Sequence, residues 1–167
     1  MSTRAEREQA TYGRGLALDD GDLVLKAGRL AEIAGLAALR QDLQLRLATP
    51  LASDRLDVRY GLDVRDAFTR GLPRHLVKEV LRLNIVRTIA GDPRVANLEQ
   101  VLFDDDPAYL AAHPGAEPAP ETRSALVEIT LTPVPLVPSV TEPDSVSDTR
   151  VQLLADVRWR ERWRSTG

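Results

Sequence analysis

Two eight-residue segments near the C-terminus, 125–132 and 151–158, constrain the fold more than any other feature. In the first, Ala125, Val127, Ile129 and Leu131 alternate with Leu126, Glu128, Thr130 and Thr132. In the second, Val151, Leu153, Ala155 and Val157 alternate with Gln152, Leu154, Asp156 and Arg158. Successive side chains of a strand point to opposite faces, so each segment is predicted to be a strand with one buried face. The intervening residues 133–148, PVPLVPSVTEPDSVSD, are too long for a tight turn and too rich in proline to continue a ladder. The prediction is a wide hairpin over 123–160 with a short tail, 161–167. An apolar sheet face needs a cover, which helices elsewhere in the chain must supply.

Two segments have helical spacing. Leu36, Leu39, Leu43 and Leu47 recur with Arg40, Gln41, Asp42 and Arg46 between them, and this helix should end before Pro50. A longer helix should open at Pro73, with an apolar face of Leu76, Val77, Val80, Leu81, Ile85 and Ile89, and stop at Gly91 and Pro93. Upstream, Leu16 and Leu18 alternate, Asp20-Gly21 is a turn dipeptide, and Leu23 and Leu25 alternate again, which predicts a short β-hairpin with a second turn near Ala27-Gly28. Residues 49–61 read as an extended loop closed by Tyr60-Gly61, and 95–103 as a strand entering a turn. Residues 1–14 are polar and aperiodic, the pattern of an arm that orders only when a partner holds it. Residues 104–122 hold four prolines and Gly115, the composition of an extended surface linker. No internal repeat is evident. The expected fold is α+β: two main helices on a small mixed sheet, over a core of 15–103, with a long C-terminal β-hairpin and a polar N-terminal arm.

Composition excludes several function classes. The chain has 167 residues, 43% of them hydrophobic, enough for one core of ordinary size. The net charge of −3 gives no global attraction to nucleic acid or to an anionic membrane, and the absence of cysteine removes disulfides and thiolate metal sites. Residues 1–10 carry no apolar stretch, and the longest apolar runs fall short of a membrane span. A soluble chain made in the cytoplasm is the expectation. The two histidines, His75 and His113, have no nucleophile at a recognisable spacing and read as surface residues. Asp104, Asp105 and Asp106 diverge along the chain where a calcium loop needs convergent ligands, so they read as a solvated acidic turn. No cofactor or metal site and no catalytic residue is expected.

The tail places Trp159 and Trp163 among Arg158, Arg160, Arg162 and Arg164. Tryptophan and arginine dominate interface anchors, and one ten-residue tail lacks the basic groove that strand binding requires, so the pair is read as docking anchors.

In order along the chain, Gly21-Asp22-Leu23, Gln41-Asp42-Leu43, Leu47-Ala48-Thr49, Tyr60-Gly61, the long helix and Asp92-Pro93-Arg94-Val95 resemble the sheath-initiator (baseplate wedge) family of contractile phage tails and related injection systems. The resemblance covers about residues 15–103. The family usually shows Glu-Pro-Arg where this chain has Asp92-Pro93-Arg94, and a Gly-Glu pair where it has Leu51-Ala52-Ser53. The resemblance implies a structural baseplate component, not an enzyme, in which Asp92, Pro93 and Arg94 form the wedge-binding corner. It also implies that strands extend by β-augmentation into the first sheath ring, with Val127, Ile129, Leu131, Val151, Leu153 and Val157 as candidate sheath contacts. Sheath and wedge proteins are the implied partners, with tube or hub proteins as further candidates, and multiple copies would sit in a symmetric ring of an assembled tail or injection particle. Nucleic acid and membrane are not among the partners. Two other classes compete: a peptidoglycan hydrolase, a label members of this family have carried, for which Glu79 and Glu99 would be tested, and a nucleic-acid-binding module using the Trp/Arg tail.

Overall fold

A computed structural model describes residues 3–69, 71–116, 124–136 and 149–158. Trp159, Trp163 and most of the 133–148 loop lie outside the described residues. The fold is α+β, as expected. Its centre is a three-stranded sheet of β7 (Val95–Phe103), β8 (Ser124–Pro133) and β9 (Val151–Arg158), in that order, covered on one face by α2 (Leu36–Ala48) and α4 (Arg74–Ala90). Both ladders are antiparallel, so the main sheet is not the mixed one that the sequence suggested. β8 and β9 form the expected hairpin, with Ile129 opposite Leu153 and Leu131 opposite Val151.

The alternation does what it predicts. Val127, Ile129, Leu131, Val151, Leu153 and Val157 turn to the helix side and are buried, and they meet Leu39, Leu43 and Leu47 of α2 and Leu81, Ile85 and Ile89 of α4. Burying such side chains contributes roughly 1.5–3 kcal/mol each before conformational entropy is subtracted. Leu76, assigned above to the apolar face of α4, is exposed, and the buried row of this helix is Leu81, Ile85 and Ile89, which begins a turn later. Phe103 closes β7 and is fully buried, with the cations of Lys78 and Arg82 over its ring.

Two segments differ from their reading. Residues 1–14 contain α1 (Arg4–Tyr12), whose start is a capping box: the Thr3 hydroxyl accepts from the Glu6 amide, and the Glu6 carboxylate accepts from the Thr3 amide. That Thr-x-x-Glu signature was available in the sequence, and the helix ends in a buried Tyr12 whose hydroxyl donates to the Val134 carbonyl at 2.6 Å. The segment is therefore held by its own chain. Within 104–122, α5 (Pro107–Ala112) forms from Pro107 at its first turn and buries Tyr109. The aspartates before it are not a solvated turn. Asp104 is buried, Asp105 pairs with Lys78, and Asp106 accepts from Arg82 and from the Phe103 amide. A short α3 (Arg65–Thr69) ahead of α4 was not anticipated.

The predicted hairpin over 16–25 is one part of a three-branched ribbon. β1 (Arg14–Leu16) pairs with β6 (Glu32–Ala34) as a stem, and two small hairpins grow from it: β2 (Leu18–Asp19) with β3 (Asp22–Leu23), and β4 (Leu25–Lys26) with β5 (Arg29–Leu30). Amide-to-carbonyl bonds from Ala17 to Ala31, Val24 to Ala17 and Ala31 to Val24 close the junction. After α2 the loop returns through Pro50 and Leu62, which form an isolated bridge. Gly61 is required there: its φ is +113°, and a Cβ would come within 2.5 Å of the Thr49 carbonyl oxygen.

Candidate functional site: a buried arginine corner and an open sheet edge

The turn after α4 is built from the residues singled out above. Gly91 ends the helix, the Asp92 amide donates to the Ile89 carbonyl, and the Val95 amide donates to the Asp92 carbonyl, so the chain reverses into β7 within four residues. Asp92 points inward and its side chain is only 2% exposed. Its Oδ1 accepts from the Arg94 amide at 3.0 Å and from Arg94 Nε at 2.9 Å, and its Oδ2 accepts from Arg94 Nη2 at 2.9 Å. This is the bidentate fork that suits arginine and not lysine. The remaining arm of Arg94 crosses the molecule, with Nη1 donating to the Tyr12 carbonyl at 2.9 Å and to Asp42 Oδ2 at 2.8 Å.

The corner thus joins α1, α2, the end of α4 and the start of β7. The Val134 amide donates to the Arg94 carbonyl, which adds the end of β8. Arg46 lies 3.5 Å from Asp92 Oδ2 and packs its guanidinium over Tyr60 at 5.3 Å. Gln41, one residue before Asp42, holds the ribbon by donating to the Leu16 carbonyl and accepting from the Leu18 amide, both at 2.8 Å. The scattered motif residues Gln41-Asp42-Leu43, Tyr60-Gly61 and Asp92-Pro93-Arg94 therefore meet in one network. Sequence reasoning missed Tyr12 and Arg46. Arg46 carried a signal, since it stands four residues after Asp42 on the same helix face.

Charge explains how an aspartate tolerates this burial. Desolvation alone would raise the Asp92 carboxyl, but hydrogen bonds from the Arg94 side chain and backbone, with the charges of Arg94 and Arg46, outweigh it and hold the group below its ordinary value of 3.8. The hydrogen bond to Asp92 likewise raises Arg94 against its own desolvation. A lowered folded-state value means that the stabilisation is fully present above the unfolded carboxyl range and is lost as pH falls through the folded value. Urea denaturation between about pH 7 and pH 2 should show this decline. An Asp92→Asn variant should be less stable at neutral pH and should show a shallower acid decline.

Arg94 is consequently turned into its own chain, with a side chain 24% exposed, while Pro93 is exposed and Asp42 is 44% exposed at the rim. The other candidate site residues are placed differently from their reading. The side chains of Val127, Ile129, Leu131, Val151, Leu153 and Val157 are core, so they are not a docking face. β8 is also paired on both sides, and its backbone is not open to another strand. β9 is an edge strand, with Leu154 on its outer face 52% exposed. Gln44 of α2 donates to the Leu154 carbonyl at 3.0 Å and caps one group of this strand.

No catalytic constellation assembles among the described residues. Glu79 lies at the surface near Arg82, whereas Glu99 accepts from Thr132 and pairs with Arg150. His75 is exposed, and His113 stacks near Tyr109 and contacts Glu128 at 2.9 Å. The described residues contain no group of three potential ligands that could hold a metal ion, and no described helix is long and apolar enough to cross a membrane.

These features define a structural α+β module whose polar residues fix its own shape, with β7 and β9 as the two edges of its sheet among the described residues. The family model described as contractile injection system sheath initiator matches residues 14–111, over half of the chain, and the protein belongs to that family. No curated protein matches it. The match spans the ribbon, both covering helices, the Asp92-Pro93-Arg94 corner, β7 and most of α5, and ends before β8.

Proposed function

We propose that this chain ties the baseplate wedge to the first sheath ring and templates sheath assembly by adding a partner strand to the outer edge of β9, without catalysing a reaction. The observation that carries this reading is the sheet order β7-β8-β9, in which β9, like β7 at the other edge, has one side unpaired among the described residues, with Leu154 exposed on β9. An unpaired edge offers a row of amides and carbonyls, and a partner strand satisfies them while alternate side chains set the register. Each backbone bond contributes about 0.5–1.5 kcal/mol net, so repetition around a symmetric ring would multiply a modest contact.

The wedge contact, on this reading, is made by the outer surface of the Asp92-Pro93-Arg94 corner. Pro93 and the Asp42 rim are what it presents, and the inward Arg94 holds that surface in shape. Trp159 and Trp163, which follow β9 in the sequence, would act as tail anchors. Sheath and wedge proteins are the partners, within an assembled tail or injection particle.

Co-expression with sheath and baseplate proteins, followed by pull-down, tests the edge. Leu154→Pro removes one amide donor from a strand that lies at the sheet edge, where proline is best tolerated. The variant should keep a cooperative thermal transition and lose sheath capture, while Leu154→Ser keeps both. A folded Leu154→Pro protein that captures sheath as the parent does would rule out augmentation at β9.

A further inference from the structure

The ribbon carries a short internal repeat, against the expectation of none. Residues 18–23 are Leu-Asp-Asp-Gly-Asp-Leu and residues 25–30 are Leu-Lys-Ala-Gly-Arg-Leu. Both share the pattern leucine, charge, two turn residues, charge, leucine, with the charges reversed in sign. The structure makes them twin hairpins. Leu18 pairs with Leu23 and Asp19 with Asp22 in one; Leu25 pairs with Leu30 and Lys26 with Arg29 in the other. Each turns on two residues of positive φ, Asp20 and Gly21 at 47° and 88°, Ala27 and Gly28 at 49° and 76°, and open space surrounds both glycines.

Each tip places like charges directly opposite each other, an arrangement that destabilises a strand pair standing alone. Neither tip is neutralised from within: Asp19, Asp20, Asp22, Lys26 and Arg29 make no ion pair among the described residues. Behind the charges, Leu23, Leu25 and Leu30 are exposed by 53%, 66% and 47%. A surface that keeps three leucines in water between an unneutralised acidic tip and an unneutralised basic tip is suited to a partner bearing the reverse pattern. The chain itself bears it.

We infer that the ribbon is a self-association surface, in which the acidic Asp19–Asp22 hairpin of one copy docks on the basic Lys26–Arg29 hairpin of a second copy and the exposed leucines are covered between them. The contact relieves both like-charge pairs and removes apolar surface from water. It uses neither the sheet edge nor the arginine corner, so it stands apart from the partners assigned to them.

Sedimentation velocity of the full chain at low and high salt tests it, with two charge reversals. One is Asp19→Lys with Asp22→Lys, which makes both tips basic; the other is Lys26→Asp with Arg29→Asp, which makes both acidic. The parent should associate at low salt and dissociate as salt rises. Each reversal alone should associate at least about tenfold more weakly, and an equimolar mixture of the two should recover the parent's affinity. Recovery in the mixture also shows that both variants are folded. A parent that stays monomeric at low salt, a single reversal that associates as the parent does, or a mixture that fails to recover would each overturn the inference.

Discussion

Replacing Arg94 with alanine should destabilise the protein by about 3–5 kcal/mol, the range for removing one partner of a buried ion pair. The magnitude follows from what is left behind. Asp92 would keep a carboxylate with almost no exposure, Arg46 at 3.5 Å would be its nearest cation, and the Tyr12 carbonyl and Asp42 would lose their shared donor. Arg94→Lys should recover only part of the loss, because an ammonium group cannot span Asp92, Asp42 and Tyr12 in one fork. Asp42→Ala, at a carboxylate 44% exposed, should cost about 1 kcal/mol or less. Urea titration of the three variants reads this ranking directly. An Arg94→Ala protein as stable as the parent would return Arg94 to a role in partner contact alone. The ranking also bears on wedge binding: loss of capture by Arg94→Ala means little if the corner has collapsed, whereas loss by a stable Asp42→Ala variant identifies the rim.

Deleting 149–167 should have a still larger effect and abolish cooperative folding. The deletion removes Val151, Leu153, Ala155 and Val157 from the core, uncovers Ile129 and Leu131 on β8, and strips α2 of the strand it packs against. At about 1.5–3 kcal/mol for each large apolar side chain, the loss is comparable with the whole stability of a domain of this size. A truncated chain should lack a cooperative thermal transition and aggregate. Truncation therefore cannot separate strand donation from folding, and the point substitution at Leu154 can. A truncated protein that melts cooperatively would show that β9 is dispensable to the core.

Much of this fold was legible because periodicity and burial coincide. The alternation at 125–132 and 151–158 marked two strands, and the leucine spacing of α2 marked its buried face, because one continuous core imposes those periods. The arginine corner was legible as a turn and as a family motif, but the direction of the Arg94 fork was not. Whether a guanidinium faces in or out depends on Tyr12, Asp42 and Asp92, which come from 82, 52 and 2 residues away. Burial inverted another expectation for the same reason: the side chains that make β8 and β9 recognisable as strands are those that the helices cover. The N-terminal helix escaped notice because its signal was a cap, Thr3 with Glu6, and not an apolar repeat. Both turns of the ribbon were legible at Asp20-Gly21 and Ala27-Gly28, but the second hairpin and the β1–β6 stem were not, because their strands are only two or three residues long.

The bond from Tyr12 to Val134 spans 122 positions of sequence, and the strand that completes the sheet ends at Arg158. Contacts that distant raise contact order and slow the search for the native topology. During synthesis α1, the ribbon and both covering helices emerge well before β8 and β9 supply the sheet face they enclose. The corner and the edge therefore mature together only after β8 and β9 have been made, and a nascent chain that still lacks them has no finished surface to offer a partner.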